Sequence, residues 1–278
     1  MFGNNEIVGQ KHFKDADPNK LYVTSRFYTI QGEGPFSGRC AIFIRLAKCN
    51  LACSFCDTYF DGGTWYDIDD LCDQIETLIP ENVPMQNVGV VLTGGEPLLQ
   101  KNITTLIRKL DYRYAFVQIE SNGIIHQSLN HSTTLVISPK CVEKNGEAIK
   151  YIKPHPKNLE IASCLKFVVE SPENNVSPYN EVPDWALEWS KSGPYERPIF
   201  VSPMNIYNEE PQKSKELRTS NVEIDVVTRS EVDEKISFWE EGLLDMKANR
   251  LNHEYVGKLC METGARLNLQ THLYISAA

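Results

Sequence analysis

From Cys40 the chain reads CAIFIRLA, a continuous apolar run broken only by Arg45, the pattern of a strand buried on both faces. It leads straight into a loop dense in cysteine. Beyond it, DIDDLCDQIETLIP places Ile68, Leu71, Cys72, Ile75 and Leu78 at helical spacing, with Asp67 as the cap and Pro80 as the stop. The alternation repeats. NVGVVLTGG reads as a strand, PLLQKNITTLIRKL as a helix, YAFVQIESNG as a strand and TTLVISPK as another. CLKFVVES and RPIFVSPM supply two more strands, with EVPDWALEWSKSG as the helix between them. Residues 231–264 have helical character, and 266–275 alternate like a strand that returns to the sheet.

Strands alternating with helices imply an α/β protein with a parallel sheet, here a partial (β/α) TIM-like barrel. Its chemistry is then expected at the strand C-termini, in the loops 49–57, 94–96, 121–123, 138–140 and 202–205. Residues 1–20 are polar and without period, a loose N-terminal arm with no assigned function. We take 21–278 as one domain, with insertions near 141–163 and 206–230.

The 278 residues carry a formal charge of -9 and a pI near 5.3. That balance argues against a broad footprint for nucleic acid or an anionic membrane and favours small-molecule chemistry. No apolar run is long enough to span a bilayer, and the first twenty residues lack a secretory apolar stretch, so a cytoplasmic protein is expected. In that compartment the eight cysteines read as ligands or nucleophiles where clustered.

Cys49, Cys53 and Cys56 form a C-x3-C-x2-C array in CNLACSFC. A four-iron cluster normally takes four cysteines, and three would leave one iron open to a ligand. A closed zinc site is the alternative, completed by His126, His131, His155 or His272. Cys40, Cys72, Cys141, Cys164 and Cys260 are expected to be ordinary packing residues.

CNLACSFC resembles the signature of the radical S-adenosylmethionine superfamily, and TGGEP at 93–97 resembles its cofactor motif. The closer resemblance is to the 7-carboxy-7-deazaguanine synthase family: FYTIQGEGPFSGRCAIFIRLAKCNLACSFCDTYF is similar to its N-terminal block, and SPK, LKFVV, SPMN and QTH follow in order. The resemblance implies a [4Fe-4S] cluster, S-adenosylmethionine and Mg²⁺. It implies a lyase that contracts 6-carboxytetrahydropterin to 7-carboxy-7-deazaguanine with loss of ammonia, on the route to queuosine. A flavodoxin or ferredoxin would supply electrons, and the chain would form a homodimer.

Carried over residue by residue, Cys49, Cys53 and Cys56 hold the cluster. Ile30, Gln31 and Gly32 face the pterin edge, with Glu33 close behind. Arg45, a charge inside an apolar strand whose planar fork matches a carboxylate, binds the substrate, and Thr93 points towards it. Thr58 ligates Mg²⁺. Gly94 and Gly95 leave an open strand end for the methionine amino group, with Glu96 as its negative partner. Phe55 and Asp57 lie beside the cofactor, Phe55 stacking near adenine, while Ser138, Pro139, Lys140, Ser202, Pro203, Met204 and Asn205 hold its ribose and carboxylate. Ser121, Asn122 and Gly123 form a strand-ending turn of open role. His272 is given a substrate or proton-transfer role.

Lys48, where the family commonly has glycine, and Leu273, where lysine is common, depart from its pattern. Two rival readings remain at this point: an activating enzyme that abstracts a glycine hydrogen from a partner protein, and a non-catalytic metal-binding module.

Overall fold

The structure is a computed structural model; it describes residues 6–56, 58–193, 195, 197–208 and 242–275. Strands β1 (Lys20–Ile30), β2 (Cys40–Leu46) and β3 (Thr64–Asp67) precede helix α1 (Ile68–Glu76). Then come β4 (Gly89–Gly94), α2 (Ile103–Leu110), β5 (Phe116–Ser121) and β6 (Thr134–Ile137). A hairpin of β7 (Cys141–Lys144) and β8 (Glu147–Tyr151) leads to α3 (Pro156–Ile161) and β9 (Cys164–Val169). The chain closes with α4 (Asp184–Lys191), β10 (Ile199–Pro203), α5 (Met246–Thr263) and β11 (Arg266–Leu267).

Nine strands form one sheet in the order β11-β10-β9-β6-β5-β4-β2-β1-β3. From β2 to β11 every pairing is parallel, and β1 lies antiparallel to both β2 and β3. Among the described residues the edge strands β3 and β11 do not pair, so the sheet is an open, partial barrel. The strands form because most of their inner residues are apolar. In β4 Gly89 to Leu92 are all buried, as a parallel strand covered on both faces requires. The helices present one apolar stripe each: Ile68, Leu71, Cys72 and Ile75 on α1, and Ile103, Leu106, Ile107 and Leu110 on α2. Burying each such aliphatic contributes about 1.5–3 kcal/mol.

Asp67 caps α1 as expected, its side chain accepting from the Asp69 N–H, but the helix ends at Glu76, before Pro80. The predicted helix over 97–110 divides into a 3-10 turn at Pro97–Leu99 and α2 proper. The alternating 266–275 segment makes only two residues of strand before a 3-10 turn at Thr271–Leu273. β1 and β3 were not anticipated.

Residues 6–20, read as a loose arm, are docked on the body. Ile7 bridges to Cys49, and Val8 and Phe13 are buried. The 141–163 insertion is the β7–β8 hairpin and α3. Most of 206–230 and the start of the 231–264 helical segment lie outside the described residues, and within them that segment is α5. Among the described residues no helix is long and apolar enough to cross a membrane.

Candidate active site

The C-terminal ends of the parallel strands open onto a cavity of about 230 Å³. Cys49, Cys53 and Cys56, none of them in a disulfide, lie on its wall. Burial pushes the Cys49 thiol well up, with buried Glu96 adding to it, and raises Cys53 to about 11. Loading a metal centre therefore releases protons here. The loop is held from outside by the inserted hairpin. The Ser54 N–H donates to Glu143 Oε2 at 2.8 Å, and the Tyr179 hydroxyl donates to Glu143 Oε1 at 3.1 Å. Phe55 meets Tyr179 edge-on at 4.9 Å.

The glycines at the end of β4 are there for backbone clearance. Gly94 has φ 107°, and a Cβ on it would fall 2.4 Å from the Leu46 nitrogen. A Cβ on Gly95 would fall 1.9 Å from the Lys48 carbonyl oxygen. That close approach allows Gly95 N–H to donate to Leu46 O at 2.8 Å and Glu96 N–H to donate to Lys48 O at 2.9 Å. The two motifs are thereby stitched backbone to backbone. Glu96, 1% exposed, accepts from Leu98 N–H, the Ser121 hydroxyl and Asn122 N–H at 2.8–2.9 Å. Burial pushes its carboxyl up, and these donors oppose the rise. Its carboxylate braces the 94–96 loop against the 121–123 turn, which gives that turn a structural role.

Deeper in the cavity, Lys166 Nζ donates to Glu33 Oε2 and Glu120 Oε2, each at 2.8 Å. The three side chains are 7%, 13% and 14% exposed. Burial alone would lower the lysine, and the two carboxylates override it, so Lys166 stays charged. Gln31 and Gln118 donate to Glu120 Oε1 at 3.1 and 3.0 Å, while Asn268 and Ser202 approach Glu33 Oε1 at 3.4 Å. The sequence reading had Glu33 and missed Lys166, Glu120 and Asn268. Lys166 carries the same signal as Arg45, a charge inside an apolar strand.

Arg45 and Thr93 are register partners on β2 and β4, and both reach the cavity. The Arg45 guanidinium lies 5.0 Å over the Phe27 ring. Gln31, Phe55, Thr58, Ser138, Lys140 and His272 also line it, as do residues 202–205. Lys140 Nζ donates to the Ser138 carbonyl at 2.9 Å and hydroxyl at 2.5 Å. Ile30, Gly32 and Pro139 are not on the lining. Ile30 pairs with Cys40 at the end of β1, Pro139 is buried, and Gly32 packs on His272, where a Cβ would fall 2.1 Å from Nδ1. Asp57 lies outside the described residues.

Three cysteine thiols on one wall, beside a strand end that presents no side chain, fit a cluster with a chelating amino acid next to it. Of the five remaining cysteines, Cys72, Cys141, Cys164 and Cys260 are buried and Cys40 half-buried.

An open parallel sheet with this thiol array at its strand C-termini defines a radical S-adenosylmethionine enzyme, and the model of the Radical SAM superfamily matches residues 44–148. A Rickettsia prowazekii protein named 7-carboxy-7-deazaguanine synthase is 34% identical over 276 residues, 99% of this chain and 95% of that one. One of the same name from Rhodospirillum rubrum is 34% identical over 214 residues, covering 73% and 82%. The solved structure of QueE from Escherichia coli superposes with a TM-score of 0.56 at 21% identity, over 94% of this chain and 95% of that one. The chain belongs to the 7-carboxy-7-deazaguanine synthase family. A [4Fe-4S] cluster and S-adenosylmethionine go with that membership.

Proposed function

We propose that this chain converts 6-carboxy-5,6,7,8-tetrahydropterin to 7-carboxy-7-deazaguanine and ammonia. The observation that carries the reading is one cavity lined by the three thiols, the glycine strand end, Arg45 and the Lys166 carboxylate pair. Cys49, Cys53 and Cys56 would hold the cluster, which together with S-adenosylmethionine would supply the radical hydrogen-abstraction chemistry. The protein's part is positioning. Arg45 binds the substrate carboxylate through paired N–H donors, with Phe27 beneath it fixing the guanidinium plane. Glu33 and Glu120, each ion-paired to Lys166 at 2.8 Å, accept from the amino and ring N–H groups of the pterin edge. Gln31 and Thr93 fix its orientation, and His272 stands at the same wall to carry a proton.

The open backbone at Gly94 and Gly95 receives the methionine amino group, and Phe55, Ser138, Lys140 and residues 202–205 receive the nucleoside. Pro139 supports this group from off the lining. Ile30 and Gly32 act through backbone, the latter's carbonyl already accepting from Thr271 N–H at 3.3 Å. Thr58 offers oxygen to Mg²⁺, completed by substrate and water, and Asp57 is its neighbour in sequence. A flavodoxin or ferredoxin supplies the electron, and the chain works as a homodimer in the cytoplasm.

The test is anaerobic incubation of reconstituted protein with 6-carboxytetrahydropterin, S-adenosylmethionine, Mg²⁺ and dithionite. The deazapurine chromophore should appear together with 5′-deoxyadenosine. Cofactor cleavage without ring contraction would transfer support to the activating-enzyme reading.

A further inference from the structure

Lys48 combines three features that the family reaction does not explain. Its backbone is left-handed, φ 71°, although it carries a full side chain. That side chain is only 11% exposed, and its ammonium reaches Glu6 at 2.7 Å and Asp61 at 3.8 Å. Its backbone is pinned on both sides: the N–H donates to Phe60 O at 2.6 Å, and the carbonyl accepts from Glu96 N–H. Residues 48 and 61 are the two ends of the cysteine loop, so this one ammonium ties those ends together.

The same ammonium recruits the N-terminal segment. Glu6 N–H donates to Asp61 Oδ1 at 2.6 Å, Ile7 bridges in parallel to Cys49, and Val8 N–H donates to Cys49 O at 2.9 Å. Residues 6–8 thus run as a strap along the backbone of the first cysteine. Glycine would adopt this φ without strain, but it would leave the strap with no buried cation to hold.

We propose that Lys48 is a positioning residue: through Glu6 and Asp61 it fastens residues 6–8 over Cys49 and keeps the cluster loop closed. The inference rests on Cys49 being a cluster ligand. Its first readout is taken on the protein without the cluster, and neither readout uses the pterin. Failure of the proposed reaction would therefore leave this test intact.

The test compares Lys48→Gly, Lys48→Met, Glu6→Gln and the conservative Lys48→Arg. Hydrogen exchange on the apoprotein follows the Val8 amide. We expect about tenfold faster exchange in the first three variants, as loss of a local hydrogen-bonded closure gives, and near wild-type protection in Lys48→Arg. After anaerobic loading, the visible absorbance of the cluster should bleach in air severalfold faster in the same three, with Lys48→Arg again rescuing. Lys48→Gly is the decisive variant because it relieves the backbone while removing the tie. If it melts higher than wild type with Val8 protection and bleaching unchanged, the lysine is merely tolerated and the proposal is overturned.

Discussion

Replacing Lys166 by Met keeps the length and most of the apolar stem of the side chain but removes the charge between Glu33 and Glu120. Both carboxylates accept from Nζ at 2.8 Å and are at most 14% exposed, so neither escapes to water when the cation goes. Removing one partner of a buried ion pair costs about 3–5 kcal/mol, because a charge is left without compensation. For a chain of this size that is a fall in Tm of roughly 10 °C. The pH dependence supplies a signature. In the wild type Lys166 is held above its ordinary 10.5, so its stabilisation is fully present below that pH and is lost only as pH rises through the higher folded value. In Lys166→Met two like charges share the site, and one carboxylate takes up a proton more readily than in the unfolded chain. The deficit should therefore be largest at pH 7–8 and shrink towards pH 5. Urea melts of the apoprotein followed by circular dichroism measure it. A second substitution, Glu120→Gln, should recover part of the loss at pH 7. A Lys166→Met protein within about 1 kcal/mol of wild type from pH 5 to 8 would refute the claim that these charges depend on one another.

The remaining predictions concern the two motifs. Gly95→Ala puts a methyl 1.9 Å from the Lys48 carbonyl, which is backbone and yields little, so the strand end and the cysteine loop must separate. Iron incorporation should fall severalfold, with about 1–3 kcal/mol of lost stability, and full cluster loading in this variant would contradict the close approach. Arg45→Met should raise KM for the carboxylated pterin by about 10- to 100-fold, the worth of a charge-assisted hydrogen bond, with a smaller effect on kcat. Arg45→Lys should recover little of it, since an ammonium lacks the planar fork. Steady-state kinetics under anaerobic conditions decide both.

Legibility in the sequence followed how cleanly each residue's burial matched its polarity. β2, β4, β5, β6, β9 and β10 are apolar runs, all but β2 closed by glycine, proline or serine, and all were anticipated. β1 was not, because Arg26 and Thr29 occupy buried positions and break its alternation. Arg26 is accommodated by donating to the Tyr66 hydroxyl at 2.9 Å, a partner supplied by β3, forty residues away and invisible to any local pattern. β11 and the 271–273 turn failed for the opposite reason: an alternating pattern was present, but the chain there leaves the sheet to place His272 against Gly32.

At the site, the order of the two motifs and their resemblance to the family pointed to the thiols and the glycine strand end, which line one cavity. The lysine–carboxylate network depends on three strands meeting at depth. Arg45 and Lys166 each put a charge inside an apolar strand, and only the first was read as functional. Lys166 stands there because parallel pairing brings β5 and β9 to the same floor, each flanking β6, so that Glu120 and Lys166 face one another across it. A charge in a buried strand is thus a standing demand for a counter-charge on a nearby strand. Within the observed bounds of these six parallel strands, that demand selects Glu120, the one acid they contain.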